Sequence, residues 1–97
     1  MRACRIDDNH KAIVKALRQS GFSVQSLANV GKGCPDLLVG AQGVNVLMEL
    51  KDGTKSKSAQ HLTDDEVDWH ATWLGQVTVV NTVEKALEVA TRFCWAK

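Results

Sequence analysis

Three charged residues near the middle of the chain are spaced so that they could act on one substrate. Asp36 begins an apolar run, while Glu49 and Lys51 end the next one, and Gln42-Gly43 separates the two runs. If Gln42-Gly43 is a two-residue hairpin turn, Asp36 lies directly opposite Glu49, with Cβ atoms ~5 Å apart and no partner of opposite sign in that register. Two carboxylates at that distance repel, so we expect a divalent cation between them. Lys51 lies two residues beyond Glu49 and therefore projects from the same face of the strand.

An acidic pair that holds a metal ion beside a lysine is suited to phosphodiester hydrolysis. Mg²⁺ binds one or two carboxylates, keeps several waters and adds substrate phosphate oxygens. The metal would polarise the phosphate and lower the pKa of a bound water. The lysine would orient that water or stabilise negative charge on the phosphate. Glu-x-Lys is also common on exposed strands that have no functional role. The functional interpretation therefore depends on its combination with the glycine loop and Pro35-Asp36.

The hairpin that positions these residues is predicted to belong to a small α/β (α+β) domain. Apolar spacing at Ile13, Ala16 and Leu17 predicts a helix over residues 9–20. Period-two alternation and short apolar runs predict strands over residues 22–28, 36–40, 44–51 and 76–81. Thr63 and Glu66 form a capping box that begins a helix over residues 64–73, and a last helix covers residues 82–93. The order α-β-β-β-α-β-α implies a mixed sheet flanked by helices, with Trp69 and Trp73 expected in the core.

Composition limits the classes of protein that fit this chain. Its 97 residues are 44% hydrophobic and 24% charged, as expected for one globular domain. The net charge of +1 is too small for a protein that binds nucleic acid through bulk charge. No apolar run approaches the ~18 residues of a membrane span, and no signal peptide is evident, so we expect a cytoplasmic protein without membrane or organic-cofactor partners. The three cysteines lack metal-site spacing and are expected to be free thiols.

The sequence around the charged residues resembles a known nuclease signature. Gly33-Cys34-Pro35-Asp36 followed by Glu49-Leu50-Lys51 resembles the PD-(D/E)XK motif. The stretches VGKGCPDLLVG, VNVLMELKDG, LTDDEVDWH and GQVTVVN resemble the small stand-alone VRR-Nuc (virus-type replication-repair nuclease) form of phages and prophages over nearly the whole chain. This resemblance implies a restriction-endonuclease-like core. It also implies that Asp36, Glu49 and the carbonyl of Leu50 are metal ligands and that Lys51 is the catalytic lysine.

Two further acidic positions are implied by the resemblance, each with a structural alternative. The family usually has an acidic residue on the first helix, where Asp7 is the first choice and Asp8 the alternative. Either one could instead cap that helix. The family commonly has a glutamine on the second helix, where this chain has Glu66. Glu66 is therefore either a catalytic residue or only part of the capping box.

The activity implied by the resemblance is that of a Mg²⁺- or Mn²⁺-dependent endodeoxyribonuclease. Small VRR-Nuc proteins resemble homodimeric enzymes that cleave branched DNA such as four-way (Holliday) junctions in the bacterial host cell. The alternatives are a flap or duplex-end nuclease of the same chemistry, or a catalytically silent DNA-binding module. Lys32, Lys55 and Lys57 lie in loops beside the predicted site, where they either hold the DNA backbone or are merely solvated.

Overall fold

The computed structural model describes residues 8–95, which form three α-helices, one 3-10 turn and four strands in the predicted order. The helices are α1 (Asp8–Gln19), α2 (Asp64–Thr72) and α3 (Val83–Trp95), and the 3-10 turn covers Ser58–Gln60. The strands are β1 (Ser23–Ser26), β2 (Leu37–Ala41), β3 (Val44–Leu50) and β4 (Val77–Val80). The result is a small α+β domain, as the hydrophobic patterning predicted.

The four strands form one mixed sheet in the order β1-β2-β3-β4. The first two pairings are antiparallel and β3 pairs with β4 in parallel. Gln42 and Gly43 connect β2 to β3 with φ angles of 56° and 77°, the left-handed backbone that a two-residue turn needs. Ala41 pairs with Val44, so the predicted register is confirmed.

The main core lies between one face of the sheet and the helices α1 and α3. Period-two alternation directs fully buried side chains of β2 and β3 toward the helices, whose own buried residues follow helical spacing. The residues at this interface include Ile13, Leu17, Leu37, Val39, Val46, Met48, Val89 and Ala90. Burying each large aliphatic side chain contributes about 1.5–3 kcal/mol, which fixes the register of β3. The side chains of alternate residues in β3 must then project from the opposite face.

Helix α2 lies over that opposite face and has no buried residue. The expectation that Trp69 and Trp73 pack in the core is wrong. Their rings stack on each other at 4.5 Å between centroids, and Trp73 is 46% exposed. Both tryptophans line a surface groove of about 550 Å³ with Leu38 and Leu47. The four-residue spacing therefore placed them on one helical face, but that face meets a groove instead of the closed core.

Expectations about membrane spans and about the cysteines also follow from the sequence. Within residues 8–95, no helix is long and apolar enough to cross a membrane. Cys34 and Cys94 are free thiols, as predicted. The prediction for Cys4 falls outside the described residues.

Candidate active site

Four charged side chains from three parts of the chain meet on the sheet face that α2 covers. Lys51 donates a hydrogen bond from Nζ to Oε1 of Glu66 at 2.8 Å, and its Nζ lies 3.6 Å from Oε2 of Glu49. Asp36 lies close enough to Glu49 to interact with it electrostatically and by hydrogen bonding. The structure thus brings together four of the residues singled out in the sequence: Asp36, Glu49, Lys51 and Glu66.

The β2–β3 hairpin places the acidic pair. Because Leu37 pairs with Met48, the next residues outward, Asp36 and Glu49, face each other across the two strands. Asp36 is anchored there, since its Oδ2 accepts a hydrogen bond from the backbone N–H of Leu50 at 2.7 Å. The structure therefore gives the Leu50 N–H a positioning role, while metal binding by the Leu50 carbonyl stays a prediction.

Gly33 allows the loop before β2 to approach the first turn of α2. Its φ is +82°, and a Cβ atom added there would collide with the backbone carbonyl of Asp65. Only glycine satisfies both the left-handed backbone and the close approach. This contact sets the position of the first turn of α2, and with it the position of Glu66 beside Lys51.

Glu49 is the most perturbed group of the cluster. The residue is 2% exposed, and its Oε1 is buried without a hydrogen-bond partner among the described residues. Burial, followed by the nearby carboxylates of Asp36 and Glu66, raises the pKa of Glu49 to about 9. In the metal-free protein Glu49 therefore carries a proton at neutral pH.

Lys51 lies on the same strand face as Glu49, as predicted, and in addition contacts Glu66. Burial lowers the pKa of Lys51, but the hydrogen bond and charge of Glu66, followed by the charges of Glu49 and Asp36, outweigh it and raise the pKa overall. The acidic pair has no partner of opposite sign in the direct cross-strand register, as predicted. Lys51 sits one pleat beyond Glu49, where its long side chain can still reach the carboxylates.

Glu66 forms the predicted capping box and also contacts Lys51, while a catalytic role for Glu66 stays a prediction. The capping box is present: Thr63 Oγ1 accepts from the Glu66 N–H at 3.2 Å, and Glu66 Oε1 accepts from the Thr63 N–H at 2.9 Å. The same Oε1 accepts from Lys51. Although burial raises the pKa of Glu66, the hydrogen bonds from Lys51 and Thr63 outweigh it and lower the pKa, so Glu66 stays ionised.

The donor set fits a hard divalent cation with few protein ligands. Among residues 8–95, no group of three or more His, Cys, Asp and Glu side chains is arranged to hold a metal ion. Two adjacent carboxylates, one with a buried oxygen that lacks a hydrogen bond, match the one or two carboxylates with which Mg²⁺ is usually bound. Asp36 and Glu49 would hold the ion, with water and substrate completing its coordination.

Within residues 8–95, Asp8 and the three predicted DNA-binding lysines lie outside this cluster. Asp7 lies outside the described residues, and its alternative Asp8 is the exposed first residue of α1. Lys32, Lys55 and Lys57 are exposed in the loops before β2 and after β3. Their contact with DNA stays a prediction.

Two residues near the cluster were missed by the sequence reasoning. The pKa of the Cys34 thiol is raised by burial and then by the charges of Glu49 and Asp36, which places this thiol beside the carboxylates. Asn9 donates from Nδ2 to the backbone carbonyl of Lys51 at 2.9 Å and thereby connects α1 to the end of β3. Cys34 could have been noticed from its position two residues before Asp36, whereas the Asn9 contact joins residues 42 positions apart and left no local signal.

Together, these features define a small α+β domain with a cluster of carboxylates and a lysine on one face of a mixed sheet. No protein-family model, curated protein or solved structure matches the chain. What the cluster does is therefore inferred from its own chemistry.

Proposed function

We propose that the protein is a Mg²⁺- or Mn²⁺-dependent endodeoxyribonuclease with a PD-(D/E)XK site. The observation that carries this proposal is the buried Oε1 of Glu49, which has no hydrogen-bond partner among the described residues although the carboxylate of Asp36 lies nearby. A buried carboxylate oxygen of this kind is unfavourable unless it binds a proton or a cation. A divalent cation between Glu49 and Asp36 satisfies that oxygen and provides the chemistry for cleaving a phosphodiester.

The described residues have separable roles in this reaction. Asp36, Glu49 and the carbonyl of Leu50 would hold the metal ion, which when bound supplies polarisation of the scissile phosphate and an acidified water. Lys51 stays protonated at neutral pH, because the neighbouring carboxylates raise its pKa. Its role is therefore to bind the phosphate oxygens and stabilise their charge, and it does not act as a general base. Glu66 is a positioning residue, since it fixes the ammonium of Lys51 at 2.8 Å.

The substrate and assembly follow from the resemblance to small VRR-Nuc proteins. We propose that the substrate is branched DNA such as a four-way junction and that the protein acts as a homodimer in the cytoplasm of a bacterial host. A two-fold pair would present two such sites to the two symmetric strands of a junction. The net charge of +1 supports shape-dependent binding, because general attraction to any phosphate backbone is weak at this charge.

A catalytically silent DNA-binding module is the second candidate, and one observation favours it. The Nζ of Lys51 is already engaged by Glu66 and lies near Glu49, as in a structural ion-pair cluster. If that arrangement persists when DNA binds, the lysine cannot contact a phosphate. The two candidates differ in whether the protein cleaves DNA at all.

The decisive experiment is cleavage of a four-way junction, a flap, a duplex and a single strand with Mg²⁺, with Mn²⁺ and with a chelator. The wild-type protein should cleave only with metal, preferring the junction. Lys51→Ala should reduce the cleavage rate about 10²–10³-fold while retaining the fold. Lys85→Ala is the matched control, because Lys85 also pairs with a glutamate but lies on α3.

Metal-dependent binding without cleavage of any of the four substrates would favour the silent module. Light scattering on the same preparation measures the assembly. A monomer that cleaves junction and duplex equally would remove the junction-selective dimer and leave the flap or duplex-end nuclease as the alternative.

A further inference from the structure

The charges of the chain are unevenly divided along its length. Residues 1–32 contain six Lys and Arg and two Asp, which is a net charge of +4. Residues 33–97 contain six Lys and Arg and nine Asp and Glu, which is a net charge of −3. The overall charge of +1 therefore hides a basic N-terminal third, and its described part is built around α1.

Three cations share one face of α1. Lys11, Lys15 and Arg18 are exposed and occupy positions i, i+4 and i+7, which lie along one side of a helix. They line a surface groove of about 480 Å³ between α1 and β1, together with His10, Val14 and Ser26. No acidic side chain lines this groove, and none of the three cations forms a salt bridge within residues 8–95. We call the surface formed by Lys11, Lys15 and Arg18 the α1 basic track.

The first turn of α1 lies at the end of β3, and the track follows from that turn along the outer side of the helix. Asn9, two residues before Lys11, donates from its Nδ2 to the backbone carbonyl of Lys51 at 2.9 Å. From there the helix rises 1.5 Å per residue, so the three cations span ~10 Å along its axis. One strand of a duplex places a phosphate about every 3.4 Å along its axis. The track is thus long enough to follow about three consecutive phosphates leading away from the end of β3.

The acidic surface of α2 restricts the direction from which a nucleic acid can approach. Asp64, Asp65 and Asp68 are exposed there and would repel a phosphate backbone. The basic track is on a different helix, one whose first turn is tied to the end of β3. Charge complementarity therefore favours contact of flanking DNA with α1 over contact with α2.

We propose that the α1 basic track binds the phosphate backbone of DNA flanking the scissile phosphate. This inference rests on the proposed nuclease function and extends it by a binding surface outside the loops of Lys32, Lys55 and Lys57. Contacts to phosphates fix the position of the duplex and carry no sequence information. The track therefore determines how firmly and in which direction flanking DNA is held.

The test compares two double variants that each remove two positive charges from a helix. Lys11→Gln with Lys15→Gln removes charge from the track, and Lys85→Gln with Arg92→Gln removes it from α3 as the control. Binding of a labelled four-way junction and of a duplex is measured without divalent metal at several salt concentrations. Circular dichroism and thermal melting show that both variants keep the fold.

The track variant should bind both DNAs about tenfold more weakly than the wild type. It should also reduce the slope of log K against log salt by about 1.8, since each lost contact to duplex phosphate contributes about 0.9. The control variant should keep the wild-type slope. In single-turnover cleavage the control variant should also keep the wild-type rate, because Lys85 and Arg92 lie on α3, away from both the track and the cluster.

Two failures can be told apart. If the wild-type protein binds and cleaves DNA, and the track variant has the affinity and salt slope of the control, the track is not a binding surface and the nuclease function stands. If the wild-type protein neither binds nor cleaves any substrate, the nuclease function fails and the inference fails with it.

Discussion

Replacing Glu49 with glutamine should stabilise the metal-free protein, and the effect should grow with pH. In the unfolded chain a glutamate has a pKa near 4.5, whereas burial and then the neighbouring carboxylates raise the pKa of Glu49 to about 9 in the folded protein. Between these two values the folded state binds one more proton than the unfolded state. Stability from this group is complete below pH 4.5 and is lost as pH rises through the folded pKa.

The magnitude follows from the cost of taking up that proton. Each pH unit corresponds to about 1.4 kcal/mol, so protonating a carboxyl of ordinary pKa 4.5 at pH 7 costs about 3 kcal/mol. Glutamine is a neutral replacement of similar shape that donates hydrogen bonds and needs no proton. Its amide can donate to the nearby carboxylates of Asp36 and Glu66. We expect Glu49→Gln to be more stable than the wild type at pH 7 by about 1–3 kcal/mol, with the difference rising by ~1.4 kcal/mol per pH unit.

Urea unfolding in the presence of a chelator at pH 6, 7 and 8 measures this difference directly. The two proteins differ only at position 49, so the comparison isolates the contribution of this side chain. Glu88→Gln on the exposed side of α3 is the control for the same replacement outside the cluster. If Glu49→Gln and the wild type lose stability in parallel between pH 6 and pH 8, Glu49 is ionised in the folded protein and the reasoning is refuted.

Three further outcomes test the site. Calorimetric titration with Mn²⁺ should show binding to the wild type and at least tenfold weaker binding to Asp36→Ala; equal affinities would exclude Asp36 as a ligand. The affinity of the wild type for Mn²⁺ should rise about tenfold per unit between pH 6.5 and 8, because metal and proton compete for Glu49; a flat profile would contradict this competition. Gly33→Ala should lower the free energy of unfolding by about 1–3 kcal/mol or more, whereas Gly31→Ala, with positive φ but open space, should have the smaller effect. Equal losses of stability in urea unfolding would show that the close approach to α2 is not what requires glycine at position 33.

The hairpin could be predicted from the sequence because its signals are local. Alternation in β3 and the Gln42-Gly43 turn each fix the same register, and a slip by one residue would expose the buried Val46 and Met48. The position of Asp36 opposite Glu49 follows from that register without any knowledge of the helices. The acidic pair was for this reason the most predictable part of the site.

The partner of Lys51 could not be predicted in the same way. The capping box was readable because Thr63 and Glu66 are three residues apart, but the contact between Glu66 and Lys51 depends on where α2 packs. The position of α2 depends on the close approach of Gly33 to the backbone of Asp65, and a hydrophobic pattern in the sequence does not predict such a contact. The same limit explains the tryptophans, since helical spacing identifies a shared face but not the surface that the face meets.

The cluster as a whole is arranged to favour added positive charge. Three carboxylates, from Asp36, Glu49 and Glu66, surround one ammonium, and a proton on Glu49 removes only part of the excess negative charge when no metal is bound. A divalent cation can replace that proton, and any ligand that binds only the folded state stabilises it by an amount that grows with concentration. The pH range that weakens the metal-free fold is therefore the range in which metal binding contributes most. If the protein is the proposed nuclease, the metal ion takes the place of the buried proton. The phosphate oxygens of the substrate then meet two positive charges, that of the metal ion and that of Lys51.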